Sequence, residues 1–329
     1  MASQHPTGFG RLAVVTAGLS LVLVALGGAV RATDSGLACP DWPRCFGLWI
    51  PPADLNIWLE HSHRLLAGVV AIAIAVLTVW ALARFRTRPA VVWASVTALV
   101  LVTIQAGLGA LVVLRLLRAD LVTAHLGMAM VVVACLIYLA VAVTRPAPSG
   151  SAGAAGDRRL AWTATAVAGL CFAQILVGGH VTGIGAGLVY PTFPLMDGAL
   201  IPAIGTEREA FHVAHRLLAY LLAGGAAYLV VAALRHRRTM LAAGAWGHGQ
   251  RWLLALPLAT GLLVVVQIVL GVANLYNGTS FLTVIPHLAV ASWIWATLVL
   301  HVLLAHGQAA SRSAAAPTPS PTPRQEAPA

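Results

Sequence analysis

Charged residues are scarce in this sequence, and lysine is absent. Charged side chains make up 9% of the 329 residues, whereas 59% are hydrophobic, and the mean hydropathy is +0.86. A soluble domain carries roughly a quarter charged residues, so this chain could not cover a surface that faces water. The composition therefore excludes a soluble protein and predicts that lipid is the solvent.

The net charge of +10 does not indicate a nucleic-acid-binding protein. All 20 basic residues are arginine, and most lie in short segments between apolar runs. They form no basic face and no recognition motif. We interpret them as residues that orient a membrane protein, with no nucleic acid among its partners.

Eight apolar runs are each long enough to cross about 30 Å of hydrocarbon. They cover residues 11–30, 65–83, 90–114, 121–143, 160–181, 213–234, 252–272 and 282–305. The sequence therefore predicts an all-α integral membrane protein with eight transmembrane helices. The first run lacks a clear small-x-small cleavage site, so we interpret it as a span and not as a signal peptide.

Arginine is concentrated in the loops after the second, fourth and sixth runs, and most acidic residues lie in the opposite loops. By the positive-inside rule, the arginine-rich loops and both termini face the cytoplasm. Arg115 and Arg118 oppose this orientation but are outnumbered. The expected location is the plasma membrane.

Three blocks of sequence recur in the same order. His63-Arg64 recurs as His215-Arg216, Gly27-Gly28 as Gly178-Gly179, and His125-Leu126 as His287-Leu288. Each half has four spans, so both halves insert with the same orientation. We expect two tandem four-helix bundles related by a pseudo-two-fold axis along the membrane normal.

The repeat and the composition predict five units. These are a cytoplasmic tail over residues 1–10, a first half over 11–145, a linker over 146–159, a second half over 160–306 and a disordered cytoplasmic tail over 307–329.

Four histidines occupy matching positions in the two halves: His63 and His125 in the first, His215 and His287 in the second. Each could be an interfacial residue that hydrogen-bonds to a loop. Their repetition argues against this, because ionisable groups near the membrane interior are costly and tend to be functional. Two imidazoles facing each other across an apolar bundle suit axial ligation of a haem iron, whereas zinc usually takes three or four ligands. The pattern favours haem.

Charged residues close to these histidines extend the pattern. Arg64 and Arg216 each follow a histidine and could reach lipid headgroups or neutralise a haem propionate. Glu60 lies one helical turn before His63, on the same face, where the second half has His212. Glu60 could interact with the helix dipole, or it could act as a base or stabilise positive charge at a haem edge.

Cysteine is rare, with four in the chain. Cys39 and Cys45 lie in an exoplasmic loop, on an oxidising side where paired thiols usually form a disulfide. Their spacing excludes a Cys-x-x-Cys-His haem attachment. The disulfide could be a structural clip or a redox-active pair beside the haem site. Cys135 and Cys171 lie within spans and are interpreted as packing residues.

Together these residues resemble the haem A synthase family. The resemblance rests on Gly27-Gly28-x-Val30-Arg31-x-Thr33-x-Ser35-Gly36-Leu37-x-Cys39-Pro40-Asp41-Trp42-Pro43-x-Cys45, on Glu60-x-x-His63-Arg64, on His215-Arg216 and on His287. It covers essentially residues 11–306.

The resemblance implies an enzyme that oxidises a pyrrole methyl group of haem O to a formyl group, giving haem A for terminal cytochrome oxidases. By position it implies His215 and His287 as haem b ligands, His63 and His125 as haem O ligands, Glu60 as the reactive acid and Cys39 with Cys45 as the loop disulfide. It also implies haem O synthase and cytochrome oxidase assembly factors as partners, and leaves a homo-oligomer open.

Other classes of protein share part of this pattern. A non-catalytic di-haem cytochrome that exchanges electrons with quinol would need the four histidines but not Glu60 or the cysteines. A transporter with a parallel repeat tends to show broken helices or paired charges at mid-membrane, and the spans here are almost free of acids. Haem O synthase is disfavoured, because prenyl transfer requires Asp-rich motifs that the sequence lacks.

Overall fold

The computed structural model describes residues 7–144, 158–244, 246–247 and 250–314. Its helices are α1 (Thr7–Ala32), α2 (Leu55–Arg84), α3 (Pro89–Leu114), α4 (Ala119–Thr144), α5 (Arg158–Gly183), α6 (Glu207–Ala242), α7 (Trp252–Tyr276) and α8 (Phe281–Ala314). All eight contain a segment long and apolar enough to cross a membrane. The predicted all-α fold with eight spans is confirmed, and the chain is a multi-pass membrane protein.

Two helices begin well before the apolar runs that predict them. α2 begins after Asp54, whose side chain accepts hydrogen bonds from the backbone N–H groups of Asn56 and Ile57. α6 begins after Thr206, which forms a capping box with Glu209. A cap satisfies N–H groups that have no partner within the helix, so both helices extend into polar sequence. This extension places both His63 and Glu60 on a helix.

The ends of the predicted units also differ from the helix ends. α5 begins at Arg158, within the expected linker, and α8 continues to Ala314, beyond the expected end of the second half at residue 306. The remainder of the linker and of the C-terminal tail lies outside the described residues, as do residues 1–6.

The helices pack in the same pattern in both halves. In the first half, α1 and α3 each contact both α2 and α4, and in the second half α5 and α7 each contact both α6 and α8. Each half is therefore a closed ring of four helices. Large apolar side chains exposed in mid-helix, such as Ile72, Val100 and Leu262, form the outer surface, as expected for a surface that faces lipid.

The halves meet through α1 with α8, α4 with α5, and α4 with α8. A Cβ at Gly28 would lie 2.8 Å from Leu288 Cδ2, and one at Gly179 would lie 2.9 Å from Leu126 Cδ2. These two contacts are equivalent under the repeat, and each joins one half to the other. A pseudo-two-fold axis predicts such reciprocal contacts, and the axis itself stays a prediction.

Candidate functional site

Each of the four matched histidines packs against a glycine on the preceding helix of its own half. The pairs are His63 with Gly27, His125 with Gly109, His215 with Gly178 and His287 with Gly271, and a Cβ at the glycine would lie 3.0, 3.1, 2.8 and 3.3 Å, respectively, from the imidazole Cε1. Any other residue would push the imidazole away from the neighbouring backbone. The glycines therefore determine how closely each imidazole packs against the backbone of the preceding helix.

The histidines also lie at similar depths. Each is about 9–12 Å along its helix from the first helical residue, at 1.5 Å per residue. All four follow a loop on the same side of the bundle, because the helices that carry them run in the same direction. The two histidines of each half thus come from α2 and α4, or from α6 and α8, at comparable height.

Several imidazole nitrogens are buried without a partner. The Nδ1 atoms of His63, His125 and His287 form no hydrogen bond with any residue that the structure describes, and an unsatisfied buried polar atom is costly. In the described part of the chain, no group of three or more His, Cys, Asp or Glu side chains could hold a metal ion. Paired imidazoles with open nitrogens in an apolar bundle fit a haem with two axial histidines better than a zinc ion.

Glutamines contact three of the histidines. Gln105 Nε2 lies 3.3 Å from His125 Nε2, and Gln267 Nε2 lies 3.2 Å from His287 Nε2, so this pair obeys the repeat. Gln174 Nε2 lies 3.1 Å from His215 Nδ1. The repeat does not reveal Gln174, because Leu23 occupies its place in the first half; a glutamine within an apolar run is the signal that could have found it.

Arg64 and Arg216 bind the loops that precede their helices. Arg64 donates to the carbonyl groups of Cys39, Asp41 and Arg44, and Arg216 donates to those of Tyr190, Thr192, Pro194 and Leu195. Three acceptors in each set are equivalent under the repeat. The guanidinium groups therefore hold the two loops in related conformations, and their predicted role at haem propionates stays a prediction.

Glu60 connects the first-half loop to α2. It is 3% exposed, its Oε2 accepts a hydrogen bond from the Cys39 N–H at 2.8 Å, and its Oε1 pairs with Arg64. The helix start is capped by Asp54 instead. At the matching position, His212 Nδ1 lies 2.7 Å from the Ala186 carbonyl oxygen. The partners of Glu60 are thus a loop amide and an arginine, and not the amides at the helix start.

Cys39 and Cys45 form the predicted disulfide. Inside this loop, Asp41 accepts hydrogen bonds from the backbone N–H groups of Gly47 and Phe46 at 2.7 and 2.6 Å. These bonds, that from Gly47 foremost, lower the pKa of the Asp41 carboxyl. The ionised Asp41 carboxylate therefore stabilises the folded loop at pH values above the pKa of this group in the unfolded chain. This stabilisation is lost as the pH falls through the lower pKa of the folded state.

Two further histidines are buried outside the matched set. His61 is 1% exposed, and its Nε2 lies 2.9 Å from the Trp49 carbonyl oxygen, so it also fastens the first-half loop. His301 on α8 is fully buried, and within the described ranges neither of its ring nitrogens has a hydrogen-bond partner. The repeat predicts neither histidine as a site residue, because neither has a counterpart in the other half.

The chain is similar to proteins of known family. A family model described as "Cytochrome oxidase assembly protein" (COX15-CtaA) matches residues 10–299. A protein of Rhodopseudomonas palustris (strain HaA2) named "Heme A synthase" is 30% identical over 94% of this chain and 92% of its own. One of Granulibacter bethesdensis with the same name is 28% identical over 90% of this chain and 87% of its own. Since the family model matches most of its length, the chain belongs to the COX15-CtaA family of cytochrome oxidase assembly proteins.

Proposed function

We propose that this protein is a haem A synthase, a membrane oxidoreductase that converts a pyrrole methyl group of haem O to a formyl group. The proposal rests mainly on the arrangement of four matched histidines in two bundles, one of which has a buried carboxylate one helical turn before a histidine. Relatives named "Heme A synthase" align over nearly the whole chain. We infer that the conversion comprises two successive oxidations, each of which passes two electrons to an acceptor outside the chain, and that a hydrated aldehyde loses water at the end.

We assign haem O to the first half, residues 11–145, with His63 and His125 as axial ligands. Glu60 supports this assignment, because it shares the helical face of His63. Haem b is assigned to the second half, residues 160–306, with His215 and His287 as ligands. His212, which replaces Glu60 there, is bound to a backbone carbonyl. When bound, haem b would supply electron transfer.

The protein contributes position and charge to the reaction. Arg64 and the Cys39 N–H hold the Glu60 carboxylate in one place. Oxidation of a porphyrin methyl group passes through an electron-poor carbon, which a nearby anion stabilises and a base helps to deprotonate. We therefore assign Glu60 this role, and the apolar bundle excludes bulk water from the histidines.

The proposed orientation places both termini in the cytoplasm and the Cys39–Cys45 loop on the exoplasmic side of the plasma membrane. The disulfide supports this, because such bonds persist on oxidising sides of membranes. Haem O synthase and cytochrome oxidase assembly factors are the proposed partners.

Haem analysis of cells tests the function. A host that makes haem O but has no haem A synthase of its own is grown with and without this protein, and extracted haems are identified as pyridine haemochromes and by mass. A synthase makes haem A appear only with the protein. A non-catalytic di-haem cytochrome would add b-type haem and no haem A.

A further inference from the structure

The two halves differ in how they hold the histidine of their second helix. In the second half, Gln174 and Gly178 lie one turn apart on α5 and both contact His215. In the first half, Leu23 and Gly27 occupy the equivalent positions on α1. Gly27 contacts His63 as Gly178 contacts His215, so the glycine is shared and the glutamine is not.

The Gln174 amide confines the imidazole of His215. Its Nε2 lies 3.1 Å from Nδ1 and 3.5 Å from Nε2 of the ring, and its Oε1 is buried without a partner. A half-turn of the carboxamide group exchanges the positions of its oxygen and nitrogen atoms. Gln174 can therefore accept a hydrogen bond from Nδ1–H, which leaves the ring Nε2 as the ligand atom.

Among the described residues, no side chain forms such a hydrogen bond with His63. Leu23 is apolar, and the His63 Nδ1 forms no hydrogen bond with any described residue. Leu23 packs instead among apolar residues of the first half. The imidazole of His63 is thus held by the glycine contact but not oriented by a side-chain hydrogen bond.

The other histidine pair provides an internal comparison. Gln105 contacts His125 and Gln267 contacts His287 at nearly the same distance. These two contacts therefore do not distinguish the halves. The halves differ in their glutamine contacts at position 23 of the first half and position 174 of the second.

We infer that Gln174 is a positioning residue that makes the second half the site of a retained haem, and that Leu23 leaves the first half able to exchange its haem. The inference rests on the proposed function, which requires one haem to stay and another to enter and leave. A partner for the second ring nitrogen fixes the tautomer and orientation of a ligating histidine and raises its basicity, and its loss typically costs 10–100-fold in affinity.

The test uses the purified full-length protein and its Gln174→Leu, Gln174→Glu and Leu23→Gln variants. The rates at which haem b and haem O pass to an excess of haem-free globin are measured, together with the midpoint potential of haem b. We expect Gln174→Leu to release haem b about tenfold or more faster, with a raised potential because the ligand is less basic. Gln174→Glu should retain haem b and lower the potential. Leu23→Gln should slow release of haem O from the first half and leave haem b release unchanged.

Unchanged haem b release and potential in Gln174→Leu would overturn the inference, as would unchanged haem O release in Leu23→Gln. If Gln174→Leu does not fold, haem O release in Leu23→Gln decides between the outcomes. Failure of the proposed function looks different: haem A would not form in the wild type, or haem b would persist in His215→Ala. Haem A formation with unaffected exchange rates would remove only this inference.

Discussion

Glu60 is the residue at which the two halves differ most in chemistry. It is a buried acid between Arg64 and the Cys39 amide, one turn before His63, and the second half has His212 in its place. Its proposed role in the reaction and its contacts with the loop belong to the same side chain. The contacts that fix the carboxylate also fasten the loop, so a test must separate charge from shape.

Replacement of Glu60 by Gln makes this separation. The amide oxygen can still accept the Cys39 N–H bond, so we expect the fold and haem b to be retained. The negative charge is lost, so we expect haem A formation to fall by at least tenfold and haem O or a hydroxylated intermediate to accumulate. Haem composition by mass measures this effect.

His212→Gln is the matched control at the same position of the second half, and it should leave haem A formation close to that of the wild type. A Glu60→Gln variant that makes haem A at the normal rate would show that Glu60 only anchors the loop.

Several contacts hold the loop between α1 and α2 in place. The disulfide closes it, Asp41 binds two of its amides, Arg64 binds three of its carbonyl groups, and His61 binds a fourth. The corresponding second-half loop keeps the arginine and the turn but has Tyr190 and Met196 in place of the cysteines. The arginine contacts are thus common to both loops, and the disulfide is present only in the first-half loop.

Counting alkylated thiols checks this disulfide. Cys135 and Cys171 are free, so denatured protein treated with iodoacetamide before reduction should carry two adducts by intact mass. After reduction it should carry four. Four adducts without reductant would exclude the disulfide and any redox role assigned to it.

Hydropathy and the repeat predict the eight helices and bring out the four histidines, because both depend on patterns within the sequence. Hydropathy does not predict the start of α2 at Leu55, since the Asp54 cap acts through hydrogen bonds in a polar segment. Hydropathy also does not predict the partners of Arg64, because they are backbone carbonyl groups whose positions depend on the folded loop. Gln174 is hidden by the divergence of the halves.

At the scale of the whole molecule, reciprocal contacts join the two halves: a glycine of each half packs against a leucine of the other. Gly28 receives Leu288, and Gly179 receives Leu126. Trp295 Nε1 adds a hydrogen bond to the Met130 carbonyl at 2.8 Å across the same interface. The halves are therefore held in a fixed relation, and all four histidines lie towards one side of the membrane.

The orientation of the molecule is tested with reporters fused after Ala329. We expect a fluorescent reporter that matures in the cytoplasm to be active there, and alkaline phosphatase, which is active only outside, to be inactive. The reason is the arginine bias of the loops after α2, α4 and α6. Active phosphatase at this position would reverse the placement of the loops and of the histidines.

The division of labour between the halves is the central claim, and the haem composition of four purified variants tests it most directly. His63→Ala, His125→Ala, His215→Ala and His287→Ala are each expressed in cells that supply haem O, and their haems are identified by mass. We expect the two second-half variants to lose haem b, and the two first-half variants to keep haem b and form no haem A. Loss of haem b only in the first-half variants, or haem A in all four, would contradict it.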